Sequence, residues 1–158
     1  MEDVTRFLDE AGVDFDVLEH EHTERAADEA AVLGVAPEEV AKTLVVASPE
    51  GNVRAVIAAS ERIDLHKVAG VLGIRGKKVH LATEDDLAQS YAAFALGAVP
   101  PFAGPKDRVI VDERLSARDA VVVEAGSHET SVRLKTADLV RLTEAQVADI
   151  TREEPEAR

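Results

Sequence analysis

The sequence predicts an α+β fold, a single domain in which short helices surround a mixed, strongly curved sheet of about seven strands. Short apolar runs rich in β-branched residues alternate with amphipathic segments, and several runs are close enough in sequence to form hairpins. A chain of 158 residues can bury roughly 70% of its unfolded surface in one core. We expect the domain to span residues 1–150 and residues 151–158 to form a flexible acidic tail.

Five amphipathic segments are predicted to be helices. Glycine follows each of the first three, as is common after the last turn of a helix. Thr23 and Asp64 are candidate N-caps, and Thr83 with Asp86 resembles a capping box. In chain order, the predicted helices cover residues 2–11, 23–33, 64–72, 83–91 and 137–142.

Seven short segments are predicted to be strands, and the second and third form a hairpin across the turn sequence Ser-Pro-Glu-Gly-Asn. Lys42 is unusual in this hairpin, because alternation puts it on the face of Leu44 and Val46. Either its ammonium reaches water from the end of the strand, or it points into a pocket to meet an anion or a polarised carbonyl. The predicted strands cover residues 13–20, 40–47, 53–59, 77–82, 108–112, 120–125 and 130–134.

The composition excludes several kinds of chemistry. Without cysteine, the chain has no disulfide framework, thiolate nucleophile or cysteine-ligated zinc. His20 and His22 would face one side of a strand end, but no third ligand lies near them in sequence, so we expect no metal and no other cofactor. The N-terminus does not resemble a signal peptide, and no apolar run approaches the ~20 residues of a membrane span. We therefore expect a cytoplasmic protein that does not contact membranes.

The charge is strongly acidic, with 31 Asp and Glu against 18 Lys and Arg. The net charge of −13 argues against general nucleic-acid coating and suggests, as a hypothesis, a high-salt cytoplasm. Stability that did not rise between low and molar KCl would contradict this hypothesis. Residues 62–78 nevertheless carry a local charge of +4, which indicates either a phosphate-contacting surface or an ordinary solvated helix and turn. Five side chains form this basic window: Arg62, Lys67, Arg75, Lys77 and Lys78.

Residues 96–105 hold three prolines and two glycines, so this segment cannot be a central strand. Such a stiff loop could present backbone groups as the floor of a pocket or as an oxyanion site, or it could simply connect two elements. Pro101 and Phe102 could equally pack in the core.

Two further side chains each have a functional and a structural interpretation. Asp112, at the end of a strand, is either a site residue or a turn or cap residue. His128 either lines the mouth of a pocket or only occupies a turn. A triad of Asp112, His128 and Ser127 or Ser131 can be written down, but adjacency in sequence does not establish geometry.

Four of these segments together resemble the YbaK/ProX aminoacyl-tRNA deacylases, which are relatives of the editing domain of bacterial prolyl-tRNA synthetases. They are the Lys42-Thr43-Leu44-Val45-Val46 strand, the Gly97-Ala98-Val99-Pro100-Pro101-Phe102 loop, Asp112 and the Ala125-Gly126 turn. The resemblance covers residues of about 20–148. It implies a barrel-like editing-domain fold and a free-standing enzyme that hydrolyses the ester joining a wrong amino acid to tRNA.

The resemblance also implies roles for individual residues. Catalytic roles fall on Lys42, Gly97 and Asp112. Substrate contacts fall on Pro100 or Pro101, on Phe102 and on Gly126. To these we add Thr43, Val99 and His128 as expected substrate contacts from the residues themselves, and the basic window as the expected tRNA contact. From the residues themselves, we expect backbone N–H groups near Gly97 to Phe102 to hold the carbonyl and Lys42 to contact the terminal phosphate or the carbonyl. The resemblance suggests that a ribose hydroxyl assists hydrolysis, and we expect no metal. Ala93 and Ala103 stand where family members commonly have glycine, which bears on the width of the pocket.

The expected substrate is tRNA for proline that carries cysteine or alanine, and a synthetase is a second candidate partner. Discrimination by one methylene is limited to ~1–3 kcal/mol, so a second site that destroys mischarged tRNA has a physical reason to exist. One alternative is a non-catalytic tRNA- or synthetase-associated module of the same fold. Another is a small-molecule-binding domain, which the net acidic charge motivates.

Overall fold

A computed structural model describes residues 2–23, 25–95 and 98–152. The described residues form six helices: α1 (Glu2–Ala11), α2 (Ala26–Leu33), α3 (Leu65–Leu72), α4 (Glu84–Ser90), α5 (Glu113–Ser116) and α6 (Thr136–Thr143). They also form eight strands: β1 (Phe15–Glu19), β2 (Ala41–Ser48), β3 (Gly51–Ala58), β4 (His80–Leu81), β5 (Arg108–Asp112), β6 (Ala120–Ser127), β7 (Thr130–Lys135) and β8 (Gln146–Ala148). All the predicted helices and strands are present, and the structure adds α5 and β8.

Two of the three predicted helix N-caps are present in the structure. Asp64 accepts hydrogen bonds from the backbone N–H groups of His66 and Lys67, and Thr83 with Asp86 forms the predicted capping box. Thr23 was wrongly predicted to cap α2. The helix begins after Arg25 without a side-chain cap, and the N–H of Thr23 donates to the carbonyl of His128 at 3.0 Å instead.

The strands form two sheets. One is five-stranded, in the order β4-β2-β3-β5-β8, and it is mixed because β5 pairs in parallel with both β3 and β8. The other is antiparallel, in the order β1-β7-β6. The predicted α+β class and mixed sheet are confirmed. The predicted barrel-like closure is not, because no closed barrel forms among the described residues.

The two sheets meet at one point, where Val40 forms a parallel bridge with Val122. The largest apolar cluster joins α1 and α6 to the β2–β3 hairpin, β5, β6 and β7. A second cluster lies under α3, and a third lies under α2, where it includes the bridged pair Val40 and Val122. The junction of the sheets is therefore buried on the side of α2, and the two sheets pack as one body.

The C-terminal boundary differs slightly from the prediction. Thr151 is fully buried and bridges Ile63, and the N–H of Arg152 donates to the carbonyl of Arg62 at 2.8 Å. Residues 153–158 lie outside the described residues, so the flexible tail stays a prediction for them. Within the described residues, no helix combines the length and apolar composition needed to cross a membrane.

Candidate active site

A cavity of about 430 Å³ opens at the junction of the two sheets. Residues of α2, β2, α4, β6 and the segments beside them line it: Arg25, Ala26, Ala27, Lys42, Thr43, Leu44, Val45, Ala59, Leu81, Ala82, Leu87, Val99 and Glu124. Most of this surface is apolar, and three charged residues contribute to it. The cavity thus brings together three of the predicted site residues, Lys42, Thr43 and Val99.

The cavity lies where one edge of β2 has no strand beside it. On this edge β4 pairs only with Val46 and Ala47, and the N–H of Ala82 donates to the carbonyl of Val45. The bridge to β6 is at Val40, the residue before β2. Between these contacts, the edge at residues 42–44 has no neighbouring strand among the described residues. An edge of this kind leaves backbone groups available to a ligand.

The direction of these backbone groups follows from the hairpin. The carbonyl of Val40 accepts the N–H of Ala59 at 2.8 Å, so residue 40 forms its ladder bonds toward β3. Backbone groups in an antiparallel ladder alternate in direction along the strand. The N–H and C=O of Thr43 therefore point away from β3, toward the cavity.

Lys42 lines the cavity and is half-buried. Burial, followed by the positive charge of Arg62, lowers the pKa of its ammonium. A lysine whose head stood in water at the end of a strand would not lose hydration in this way. The location favours the interpretation in which Lys42 meets an anion or a carbonyl inside a pocket.

Val99 is the member of the Pro-rich loop that lines the cavity. The N–H of Ala98 is already bonded to the carbonyl of Ala95 at 2.9 Å, and Pro100 and Pro101 have no N–H. Among residues 98–101, Val99 therefore carries the N–H that is the candidate donor to a substrate. Gly97, the predicted catalytic glycine, lies outside the described residues.

The three residues of this loop that follow Val99 pack in the core and do not contact the cavity. Pro100, Pro101 and Phe102 are buried and do not line the cavity, and the Phe102 ring stacks on Phe7 with 5.4 Å between the ring centroids. The core-packing interpretation of Pro101 and Phe102 is the one that fits. Their predicted substrate contacts are not supported by this placement.

Arg54 on β3 holds the loop in place, and the sequence analysis missed it. Its side chain is 1% exposed, and all five of its N–H groups have acceptors. Nε pairs with Asp107, and the two terminal nitrogens donate to the carbonyls of Pro100, Phe102, Ala103 and Pro105 at 2.6–3.0 Å. An arginine inside an otherwise apolar strand was the available signal, since a buried cation requires partners.

Tyr91 and Asp107 complete this arrangement. The hydroxyl of Tyr91 donates to Asp107, and the ring lies 5.1 Å from the guanidinium carbon of Arg54. Burial and the nearby Asp107 carboxylate raise the pKa of Tyr91 to about 12. The phenol is therefore a neutral donor at physiological pH, and it helps to fix the acceptor of Arg54.

Ala93 and Ala103, which stand where family members commonly have glycine, differ in backbone conformation and exposure. Ala103 adopts a positive φ of 67°, the left-handed conformation that glycine takes easily. Its carbonyl is bound by Arg54 at 2.6 Å, which holds the residue in this conformation. Ala93 is exposed and does not line the cavity. Neither methyl group narrows the cavity wall.

Asp112 lies away from the cavity. Its carboxylate is fully buried and accepts the N–H groups of Arg114, at the start of α5, and of Ile150, which follows β8. Both carboxylate oxygens thus accept hydrogen bonds from backbone N–H groups, as the interpretation of Asp112 as a cap residue predicted. The catalytic role that the resemblance implies for Asp112 has no support from this position.

Gly126 and His128 do not line the cavity. Gly126 has a φ of 92°, and its carbonyl accepts the N–H of Ala95, so it anchors the segment that leads to the Pro-rich loop. His128 is buried, with Nδ1 3.5 Å from the carboxylate of Glu124, a lining residue that sequence reasoning also missed. Both predicted residues can act on the site through neighbours, and neither lines it.

The possible triad of Asp112, His128 and Ser127 or Ser131 does not form. The Ser131 hydroxyl donates to Glu29 and lies 2.8 Å from Nε2 of His20, while the Asp112 carboxylate is bound elsewhere. Burial raises the pKa of Glu29, and the Ser131 hydrogen bond opposes this change. In the part of the chain that is described, no group of three or more His, Asp or Glu side chains could hold a metal ion.

The basic window is divided by the structure. Lys67 donates to Asp149 at 2.9 Å and to the carbonyl of Thr151, so it fixes the C-terminal segment. Arg75, Lys77 and Lys78 are exposed. Arg62 is also exposed, and it is close enough to the cavity to lower the pKa of Lys42. Arg62 therefore connects the window electrostatically to Lys42, although it does not itself line the cavity.

Comparisons with known proteins agree on one family. Residues 20–142 match the aminoacyl-tRNA editing domain. The chain is 32% identical over 152 residues to Escherichia coli ProXp-y, named a multifunctional Ser/Thr-tRNA deacylase, with 92% of this chain and 89% of that protein covered. It is 31% identical over 124 residues to Enterococcus faecalis EbsC, provisionally named a Cys-tRNA(Pro)/Cys-tRNA(Cys) deacylase, with coverage of 77% and 74%. A solved structure described provisionally as a trans-editing enzyme for prolyl-tRNA synthetase matches with a TM-score of 0.87 and 26% identity, over 96% of each chain.

Proposed function

Because the chain belongs to the aminoacyl-tRNA editing domain family, we propose that it hydrolyses mischarged tRNA as a free-standing enzyme and that the β2-edge cavity is its active site. The main support for this proposal is that half-buried Lys42 lies in the cavity beside the unpaired edge of β2 and beside Val99 of the Pro-rich loop. Cations and backbone N–H groups are the donors that ester hydrolysis needs where negative charge develops.

The reaction adds water to the ester carbonyl carbon and breaks the bond to the ribose oxygen, which takes up a proton. An aminoacyl ester is already reactive, so orientation of water and stabilisation of the oxyanion suffice. The N–H groups of Thr43 and Val99 are the candidate oxyanion donors, each worth ~2.7–4 kcal/mol when well placed. Lys42 contacts the terminal phosphate or the carbonyl, and the neighbouring ribose hydroxyl assists the attacking water. No protein nucleophile or metal takes part.

The apolar part of the cavity would receive the amino-acid side chain. Leu44, Leu81, Leu87 and Val99 form this wall, which suits a small side chain such as that of alanine or cysteine on tRNA for proline. The name of ProXp-y points instead to serine and threonine, and the hydroxyl of Thr43 would be the partner for such a side chain. Esters of alanine and cysteine and esters of serine and threonine should therefore all be tested as substrates.

The tRNA body would follow the exposed end of the basic window, from Arg62 toward Arg75, Lys77 and Lys78. Arg62 lies near Lys42 and would meet phosphates close to the 3′ end. A synthetase remains the second candidate partner, since an editing protein acts on what a synthetase releases. Co-purification with prolyl-tRNA synthetase would be the measurement.

We expect release of amino acid from one or more of four candidate substrates: alanyl- and cysteinyl-tRNA for proline, seryl-tRNA and threonyl-tRNA. Initial rates should be measured at low and at molar KCl, because the acidic surface and tRNA binding respond to salt in opposite directions. Correctly charged prolyl-tRNA is the control and should remain intact. A folded protein that released no amino acid under either condition would contradict the enzymatic proposal and favour a binding module of the same fold.

A further inference from the structure

Glu124 is the negatively charged side chain among those that line the cavity. The other two charged lining residues are cations, and one of them, Arg25, lies at the exposed rim and pairs with Asp28 at 3.3 Å. The Glu124 side chain is only 15% exposed, and one of its carboxylate oxygens lies 3.5 Å from Nδ1 of His128. This carboxylate therefore lies in a largely apolar wall and is mostly shielded from water.

The bridge between the two sheets places Glu124 opposite Lys42. Val40 and Val122 form a parallel bridge, and Lys42 and Glu124 each follow two residues later. Since side chains on a strand return to the same face every second residue, both side chains lie on the face of the bridged pair. The cavity therefore has a cation on one wall and an anion on the adjoining wall.

An aminoacyl ester presents matching charges. Its carbonyl and nearby phosphate attract a cation, whereas its α-ammonium, one carbon from the carbonyl, attracts an anion. We propose that Glu124 binds the α-ammonium of the aminoacyl group and thereby restricts the enzyme to esters with a free α-amine. Esters that are N-acylated, as in peptidyl-tRNA, lack this charge and are excluded. This inference rests on the proposed function and specifies the substrate class of the same site.

The test compares Glu124→Gln with wild type on two forms of one substrate. The substrates are the aminoacyl-tRNA that wild type hydrolyses fastest and its N-acetylated derivative. Glutamine keeps the shape of the side chain and an oxygen for the His128 contact, but it removes the charge. We expect wild type to prefer the free amine by roughly 10- to 100-fold in kcat/KM, and the variant to lose most of that preference. Glu113→Gln, at an exposed position of α5, is the matched control and should behave as wild type.

A binding measurement separates this inference from the proposed function. Adenosine carrying alanine through a 3′-amide cannot be hydrolysed as the ester is, and its N-acetyl form is the uncharged partner. Wild type should bind the free amine at least 10-fold more tightly, and Glu124→Gln should bind both forms alike. Equal losses for both forms would mean that Glu124 is only structural, and an unchanged preference would mean that it does not contact the amine. If binding discriminates but no tRNA is hydrolysed, the enzymatic proposal fails and the assignment of Glu124 stands.

Discussion

Replacement of Arg54 by methionine is expected to lower the free energy of unfolding by about 3–5 kcal/mol, the cost typical of breaking a buried ion pair. The substitution leaves the Asp107 carboxylate, which is 11% exposed, without its cation. It also removes the donors of four loop carbonyls. Chemical denaturation followed by circular dichroism would measure this loss. Arg118→Met, at an exposed turn residue, is the matched control and should change stability by less than ~0.5 kcal/mol.

A conservative variant separates charge from geometry at the same position. Arg54→Lys retains a cation for Asp107 but offers three donors in place of five. We expect it to fold and still to weaken catalysis. Val99 lines the cavity, and Arg54 binds the carbonyl of Pro100, the next residue, so a looser grip on the loop would shift Val99. Full activity and full stability in the lysine variant would show that the loop holds its shape without the guanidinium.

Replacement of Lys42 by methionine is expected to lower kcat/KM by about 10²–10³, the usual effect of removing a group that stabilises an oxyanion. The same substitution should raise the free energy of unfolding, since burial and the charge of Arg62 both disfavour the ammonium. Active-site charges often reduce stability in this way. Lys135→Met, at an exposed lysine at the start of α6, is the control for loss of charge alone.

The pH dependence follows from the direction of the pKa shift. The pKa of Lys42 is lower in the folded protein than its ordinary value of 10.5, so the unfolded chain binds more protons between the two values. The stability difference between the methionine variant and wild type should be largest below the folded-state pKa and should shrink as pH rises through it. Activity that needs the ammonium should fall over the same interval, after subtraction of the background hydrolysis by hydroxide. Constant activity in this range, or full activity of Lys42→Met, would contradict the role given to Lys42.

Local sequence signals predicted local structure well. Asp64, Gly73 and the Thr83–Asp86 box act on backbone groups within four residues of themselves, and the structure confirms each of them. The β2–β3 hairpin was predictable for the same reason, since its turn lies between the two strands. Thr23 failed as a cap because the helix begins only after Arg25, while Thr23 is bonded to the carbonyl of His128, 105 residues away in the chain.

The candidate site was only partly predictable. The family resemblance identified Lys42, and sequence reasoning added its neighbour Thr43 and the loop residue Val99; all three line the cavity. They also implied roles for Pro101, Phe102 and Asp112, which the structure places in the core or at a helix cap. A motif marks positions that a family retains, but it does not distinguish contact with substrate from support of the loop that makes the contact.

The sequence by itself determined the family, the α+β class, nearly all of the helices and strands, and the hairpin that carries Lys42. Each of these depends on periodicity, capping or turn chemistry between residues close in the chain. Only the tertiary structure decided that Arg54 binds a loop about 50 residues away and that Glu124 and Lys42 line the same cavity. Such contacts depend on how sheets pack and on which strand edges remain unpaired, and no pattern within a short segment of the chain specifies either.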